Sequence, residues 1–505
     1  MKLLSIRSDA HDSNVTYFDG EQLKYFSFER DFQNKHHGFH NIYGWTRILD
    51  VWDIEPSDVD AICVVLDCQD YAGTLKLDVL KVHEEIEIPF FRDLGFSCPI
   101  HRIDHHYAHS LSLWPLGVEP TIHFVFDGFG DDWMYRSVWR GDNLVDCGKT
   151  TICPSQMRGG DMSPSFGFIM TRMGAIMGLN GNPLDQAGKI MALKAYGRTD
   201  LAEVGDTDNI DDLNHIWNWN LIERYMHNEQ FLVDYIATAH EKTEQLYLKH
   251  FRQFIREGDI VGYSGGVAQN TIINKVLRDH FPNIVIPPHC NDQGLSLGAI
   301  EYLRKLYNLD PFDRSGFPFW QSDQEVPRPS EKTIKDTAER LANGEIVGWY
   351  QGRGEVGPRA LGNRSLLMNP MIPNGKEIMN MSVKRREPFR PFGASVIEED
   401  VSQYFYWNGP SPYMLFVGDT LEPDRFPGIQ HPDGTCRFQT VSNEHEDYYQ
   451  LLKEFGRITG VPMLLNTSLN VGGRPIAARV SDALELYHTM QVDTLVLGNE
   501  IVAKQ

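Results

Sequence analysis

Cysteine is scarce and scattered in this 505-residue chain. The seven are Cys63, Cys68, Cys98, Cys147, Cys153, Cys290 and Cys436. Their number is odd and none forms a CxxC pair. That excludes a disulfide framework and a zinc ribbon, and leaves a reduced, cytoplasmic protein as the expectation. Long apolar runs are also missing: none approaches the roughly eighteen residues of a spanning helix, so no membrane partner is expected. The opening MKLLSIRSDAHDS turns polar too soon for a secretory signal. Positive charge is in deficit, with 47 Lys and Arg against 69 Asp and Glu and a formal net charge of −22. Such a chain lacks the clustered basic surface that displaces counterions from nucleic acid, so no nucleic-acid partner is expected. A Walker A loop, and a GxGxxG after the first strand, are both absent. An ordinary P-loop or Rossmann site is therefore excluded.

What is present is an ordinary globular composition, 41% hydrophobic and 23% charged, on a chain too long for one core. The most informative stretch is His105–Asp132, HHYAHSLSLWPLGVEPTIHFVFDGFGDD. If its start is helical, His105 and His109 project from one face, and so do His106 and His109. The apolar run Ile122–Phe126 then drops into Asp127-Gly128, placing a carboxylate at a strand tip. Two imidazoles and a carboxylate suit a divalent metal with positions left open. The histidine pair stays undecided between His105 and His106 as the partner of His109. Asp292 leaves the strand Ile284–Ile286 in the same manner. It reads either as a second carboxylate for that site or as an N-cap of the helix Ser296–Leu306.

In chain order, Lys2–Arg7 reads as a strand followed by the polar turn Ser8–Ser13, and Val15–Phe18 and Lys24–Phe28 form a hairpin. This opening resembles that of the actin-like ATPases. Ala61–Leu66 is an all-apolar strand. GAIMGLNGNPLDQAGKIMALKAYG, with Asp185, Gly188 and Lys189, starts a short helix. Phe231–Glu257 reads as a long amphipathic helix. Ile260–Tyr263 leads into SGGVAQN, whose glycines bring backbone N–H groups close to a ligand. Residues 311–331 read as a linker between domains at 1–310 and 332–505. The second domain gathers Arg and Lys beside Gly-rich turns in QGRGEVGPRALGNR, VKRREPFRPF, HPDGTCRFQ and LLNTSLNVGGRPI. In so acidic a chain this pattern suits phosphate or carboxylate groups.

These ordered motifs, together with ERDFQNKHH, DHHYAHS and NDQGLSLGA, resemble the O-carbamoyltransferase family of the NodU/CmcH type over nearly the whole chain. The resemblance implies an α/β protein of two domains. The first is a duplicated actin-like ATPase (ASKHA) fold similar to the threonylcarbamoyl-transfer enzymes, and the second a YrdC-like twisted α/β fold. It implies that ATP and carbamoyl phosphate give carbamoyl adenylate in the second domain. The first domain then transfers the carbamoyl group to a hydroxyl of a small natural product such as an antibiotic or toxin.

By the same resemblance His105, His109, Asp127 and Asp292 hold a divalent metal, Fe2+ by expectation, with Mg2+ accompanying ATP. Asp9 and His11 assist deprotonation of the acceptor. Asp185, Gly266 and Asn270, with Ser468 and Asn470, contact nucleotide. Arg359, Lys384, Arg390 and Arg437 bind carbamoyl phosphate and ATP. The sequence leaves the oligomeric state open, with a homodimer among the candidates. The chain departs from the family at IRSDAH, where relatives carry glycines, and at DGFGD, where Phe129 is expected to reshape the acceptor entrance. Two other classes compete: a tRNA threonylcarbamoyl-type enzyme, disfavoured by the acidic balance, and a non-catalytic nucleotide-binding partner, disfavoured by the arginine pocket.

Overall fold

The structure, a computed structural model, describes residues 1–39, 43–66, 77–78, 80–150 and 164–504. It divides into two compact units. The first comprises Met1–Phe32, His36–Ala187 and Arg198–Pro318; the second comprises Gln33–Lys35, Gly188–Gly197 and Phe319–Gln505.

The first unit carries the same sheet twice. In the first sheet, β1 (Leu3–Arg7), β2 (Asn14–Phe18) and β3 (Leu23–Ser27) form an antiparallel meander. β4 (Ala61–Val65) and β6 (Ile100–Ile103) continue from β1 in parallel, with β5 (His83–Glu85) at the edge. In the second sheet, β7 (Ile122–Phe126), β8 (Met134–Arg140) and β9 (Asn143–Lys149) form the meander, and β10 (Val261–Ser264) and β11 (Ile284–Val285) continue in parallel from β7. Meander first and parallel strands beside its first member, two times over, is the duplicated actin-like arrangement.

β4 is apolar throughout because both of its faces are covered. Ile62 and Val64 pack with Leu4, Ile6, Trp45 and Phe91. Ala61, Cys63 and Val65 meet Leu295, Ala299 and Leu303 on the other face. Those last residues belong to the helix Leu295–Leu306. Helix Glu229–Phe254 covers the second sheet, stacking Phe251 on Phe124 with ring centroids 3.8 Å apart. It starts two residues earlier than expected because Asn228 caps it, accepting from the Phe231 N–H at 3.1 Å. It ends three residues earlier because Ile255 is extended.

The second unit holds a mixed eight-stranded sheet in the order β15 (Phe416–Asp419), β16 (Thr435–Val441), β14 (Gly393–Ile397), β17 (Met463–Ser468), β13 (Arg364–Met368), β12 (Val347–Tyr350), β18 (Thr494–Leu497), β19 (Glu500–Ala503). Helices Glu331–Ala342 and Glu446–Thr459 bury Ile334, Leu341, Leu452 and Phe455 against Trp349 and Leu464 on one face. The other face packs Tyr350, Leu366, Phe392, Phe438 and Leu465.

The stretch expected as a linker is divided between the units at Pro318 and Phe319. It is packed rather than free: Phe312 joins the first unit's core, and Trp320 and Gln321 are buried, with Gln321 bridged to Gly354. The five described cysteines are free thiols; Cys68 and Cys153 lie outside the described residues. Among the described residues no helix is long and apolar enough to cross a membrane.

Glycine at one helix crossing decides how closely two elements of the first unit approach. A Cβ on Gly298 would lie 1.9 Å from the Ala108 carbonyl oxygen. Gly298 is on the helix that follows Asp292, and Ala108 is on the helix that bears His105 and His109. Gly298→Ala is expected to push the two helices apart and cost about 1–3 kcal/mol, the usual penalty of overpacking, read from urea unfolding.

A candidate metal centre and a candidate anion pocket

Asp104 opens the helix His105–Leu111, its carboxylate accepting from the Tyr107 N–H at 2.9 Å. The helical start puts His105 and His109 one turn apart on one buried face. Asp127 leaves β7 to meet them: its Oδ2 is 3.0 Å from His105 Nε2 and 3.3 Å from His109 Nε2. Asp292 arrives from after β11, with Oδ1 3.5 Å from both imidazoles. The four residues are buried, and one donor atom of each lies within 4.8 Å of all the others.

His106 is not part of this group. Its Nδ1 faces the Ser137 hydroxyl at 2.8 Å. Burial and the neighbouring His105 hold its pKa well below the ordinary histidine value. The undecided pair is thus His105 with His109.

Each carboxylate is anchored from behind. Asp127 Oδ1 accepts from the Gly128 and Gly266 N–H groups at 2.7 and 2.9 Å. The Gly265-Gly266 turn therefore serves Asp127 directly, although the sequence pattern assigned Gly266 to nucleotide. Gly265 has φ +92, and a Cβ there would lie 2.1 Å from the Phe126 carbonyl oxygen. Asp292 does not cap its helix; the cap residue is Gly294, with no side-chain bond. Instead Asp292 Oδ2 accepts from Arg7 Nη2 at 3.2 Å. Arg7, fully buried at the end of β1, also donates to Asp9 at 2.6 Å.

Burial would raise both acids, but the imidazole partners outweigh it. The bonds from His105 and His109 lower Asp127 below the ordinary carboxylate range. The same two histidines, His105 foremost, take Asp292 well below it. Two imidazole nitrogens and two ionised carboxylates, gathered where water is scarce, are the mixed N/O donor set that divalent first-row ions take. The residues fit such an ion.

Asp9 and His11 separate in role. Asp9 is turned toward Arg7 and the Ala10 N–H. The carboxylate at His11 is Asp12, 3.2 Å from Nδ1, with Asp292 Oδ2 at 3.8 Å. Burial would lower His11, yet Asp12 and Asp292 raise it to about 9. Among the expected nucleotide contacts, Asp185 pairs with His36 Nε2 at 3.3 Å. Asn270 caps Ile272 and Ile273 through Oδ1, and its amide nitrogen lies 2.9 Å from His240 Nε2. That second partner, with Glu244 2.6 Å from His240 Nδ1, was not legible, because His and Glu four apart on a long helix are commonplace.

In the second unit the expected Lys384, Ser468 and Asn470 are brought together. Buried Lys384 Nζ donates to the Ser468 carbonyl, to Ser468 Oγ at 3.2 Å and to Asn470 Oδ1 at 2.6 Å. Around it stand cations that feel one another. Burial, then Arg386, Arg390 and Lys35, lowers Lys384 well below the usual lysine value. Burial, then Arg390 and Arg437, lowers Arg386. Burial, Arg359 and Arg390 lower Arg437 to about 9. Arg386 was missing from the expected set. It donates to Asn380 at 2.7 Å and lies over the Phe392 ring.

Of the three arginines in QGRGEVGPRALGNR only Arg359 joins this cluster. Arg353 is an exposed partner of Glu325. Arg364 is a core cation, 3.6 Å over the Tyr350 ring and paired with Asp323 at 3.0 Å. Lys384 is buried and Arg359, Arg386, Arg390 and Arg437 are half-buried, and cations gathered in this way repel one another unless an anion completes the pocket.

Comparison with known proteins agrees with the motifs. A carbamoyltransferase N-terminal family model matches residues 69–300, and a carbamoyltransferase C-terminal model matches 338–504. Nodulation protein NolO of Bradyrhizobium diazoefficiens is 30% identical over 446 residues, covering 80% of this chain and 79% of that protein. This chain belongs to the carbamoyltransferase family. It is a carbamoyl-transfer enzyme. The 3′-hydroxymethylcephem-O-carbamoyltransferase of Amycolatopsis lactamdurans is also 30% identical, over 63% of this chain and 65% of that one. Among solved structures, HypF of T. kodakarensis gives a TM-score of 0.38 at 14% identity, over 61% of this chain and 48% of that one.

Two outcomes are expected of this carbamoyltransferase. Elemental analysis after loading with Fe2+ or Mn2+ should give one ion per chain. His109→Ala and His105→Ala should weaken binding at least tenfold, the usual loss for a ligand shell, while His106→Gln keeps the stoichiometry. Separately, pyrophosphate should raise the melting temperature, by about 2.7 kcal/mol of added stability at a hundredfold excess over Kd. Arg390→Gln should lose most of that gain while the unliganded protein melts no lower than the wild type, because a repelling cation has been removed.

Proposed function

We propose that the protein is an ATP-dependent O-carbamoyltransferase with its chemistry split into two half-reactions. In the first, water attacks the phosphorus of carbamoyl phosphate, the P–O bond to the carbamoyl group breaks, and inorganic phosphate leaves. The freed carbamate oxygen attacks the α-phosphorus of ATP, and pyrophosphate leaves. The product is carbamoyl adenylate. In the second, an acceptor hydroxyl attacks the carbamoyl carbon, the bond to the phosphate oxygen breaks, AMP leaves, and the hydroxyl proton passes to a base. The acceptor is a small hydroxylated natural product.

The observation that carries this reading is the convergence of His105, His109, Asp127 and Asp292 in a unit whose fold binds nucleotides, in a chain that also gathers Arg359, Lys384, Arg386, Arg390 and Arg437. A divalent ion at the four donors would supply positive charge against phosphate oxygens. Arg7 donates to both Asp292 and Asp9 and so orients the two carboxylates. His11 is the group placed to take the hydroxyl proton. In the unloaded centre it is charged at neutral pH, since Asp12 and Asp292 hold its proton. Neutralising Asp292 brings it toward the range in which imidazole acts as a base.

In the second unit the arginine forks suit phosphoryl oxygens in pairs. Lys384 holds Ser468 and Asn470 in one conformation. A carbamoyl adenylate hydrolyses readily, so its manufacture and use within one protein reduces loss to water.

The test is mass spectrometry with carbamoyl phosphate and ATP across hydroxylated metabolites, seeking a gain of roughly 43 Da that appears only with a well-oriented acceptor. His109→Ala is expected to abolish that product while release of AMP and pyrophosphate continues. Arg390→Ala is expected to stop pyrophosphate release yet still pass on adenylate supplied ready-made. Equal loss of both half-reactions in both folded variants would rule the scheme out.

A further inference from the structure

His11 does not stand on Asp12 alone. Asp12 Oδ2 is 3.2 Å from His11 Nδ1, and Asp12 Oδ1 is 3.2 Å from His36 Nδ1. The far side of the His36 ring then meets Asp185, Nε2 to Oδ1 at 3.3 Å. The four side chains make one chain, imidazole, carboxylate, imidazole, carboxylate, all within the first unit. Asp12 is buried between two imidazoles, of which His11, 37% exposed, is the more open to solvent.

The backbone is shaped for this contact. Asp12 has φ 51 and His36 has φ 56, both left-handed, a conformation that Asp and His tolerate better than most residues but still at some cost. The segment after His36 lies directly on the turn that carries His11. A Cβ on Gly38 would fall 2.3 Å from the Ala10 carbonyl carbon, the Asp9 oxygen and the His11 nitrogen. Ser13 N–H donates to the His37 carbonyl at 3.0 Å and closes the pair of turns. His36 itself is fixed by its N–H, which donates to buried Glu29 at 3.0 Å.

We infer that Asp12 and His36 are positioning residues that set the orientation of His11, with Asp185 as the outer anchor. This deepens the proposed function and rests on it for the role of His11. An imidazole with one nitrogen engaged by an acid has the other turned outward as its reactive nitrogen. His36 matters because a carboxylate bound on one side only is free to rotate away. Asp185 thus has a second duty, in which a ligand at that residue changes the support beneath His11.

Asp12, Glu29 and His36 also meet the spacing of a cation site, so the test separates the two roles. Full-length protein labelled with 15N in the histidine rings is observed by NMR for low-field imidazole N–H signals, assigned by their loss in His11→Gln and His36→Gln. The expected result is a His11 signal that disappears in Asp12→Asn and also shifts or disappears in His36→Gln, which does not touch His11. Gly38→Ala should shift it too. In the transfer assay Asp12→Asn and His36→Gln should lower kcat at least about tenfold, the lower part of the general-base range, with acceptor KM little changed and pyrophosphate release retained.

A His11 signal indifferent to His36→Gln, or none at all, overturns the inference. So does a second bound metal ion that is lost in His36→Gln, which would make the group a cation site. Wild-type protein that carbamoylates nothing sinks the proposed function instead, and leaves the NMR result to stand or fall by itself.

Discussion

Two carboxylates buried side by side are the constraint around which the first unit is arranged. Asp127 and Asp292 cannot be ionised in a dry interior without partners. Their partners come from three places in the chain: the imidazoles of one helix, Arg7 at the end of β1, and the backbone N–H of Gly266 after β10. Arg7 sits where β1 stops and Gly266 just after β10, so the duplicated sheet brings strand ends together beside the histidine helix. The close approaches at Gly298 and Gly265 follow from the same need. A larger residue there would separate the segments that carry the charges. The acids gain their low pKa from this convergence, and the same convergence leaves a donor set ready for a cation.

The second unit solves the opposite problem and leaves it unfinished. Lys384, Arg386 and Arg437 are drawn into a common field with Arg359 and Arg390, and Glu387 stands among them as an acid, held by Lys189 at 2.7 Å. Repulsion of this kind lowers the stability of the protein by itself, and a bound anion would relieve it. Binding sites are places where local consistency is given up for function. The core arginine Arg364 shows the contrast. It is fully buried, and its two Nη groups are met by carbonyls and by Asp323, with the Tyr350 ring beneath the guanidinium.

Much of the candidate site was legible because it is local. DHHYAHS fixes the helix face, and FDG fixes the carboxylate at a strand tip. What was not legible is pairing across long separations. Nothing in IRSDAH says that Arg7 reaches Asp292, or that Asp12 rather than Asp9 lies against His11. His36 reads as one of several charged residues until the turn bearing it is laid on the first turn at Gly38. Among the arginines, proximity to glycine was taken as the mark of a pocket. Arg359 does stand within the field of Arg437, whereas Arg364 is turned inward onto carbonyls and Asp323.

The sequence by itself determined which elements form and which residue types stand near their ends. Periodicity and caps are local, so they survive in one dimension. The tertiary structure decided which of His105 and His106 faces the acids, that Gly266 supports Asp127, and that Asp292 joins the histidines instead of capping a helix. Those outcomes depend on distances between segments far apart in the chain, and only the packing of the sheets and helices sets them.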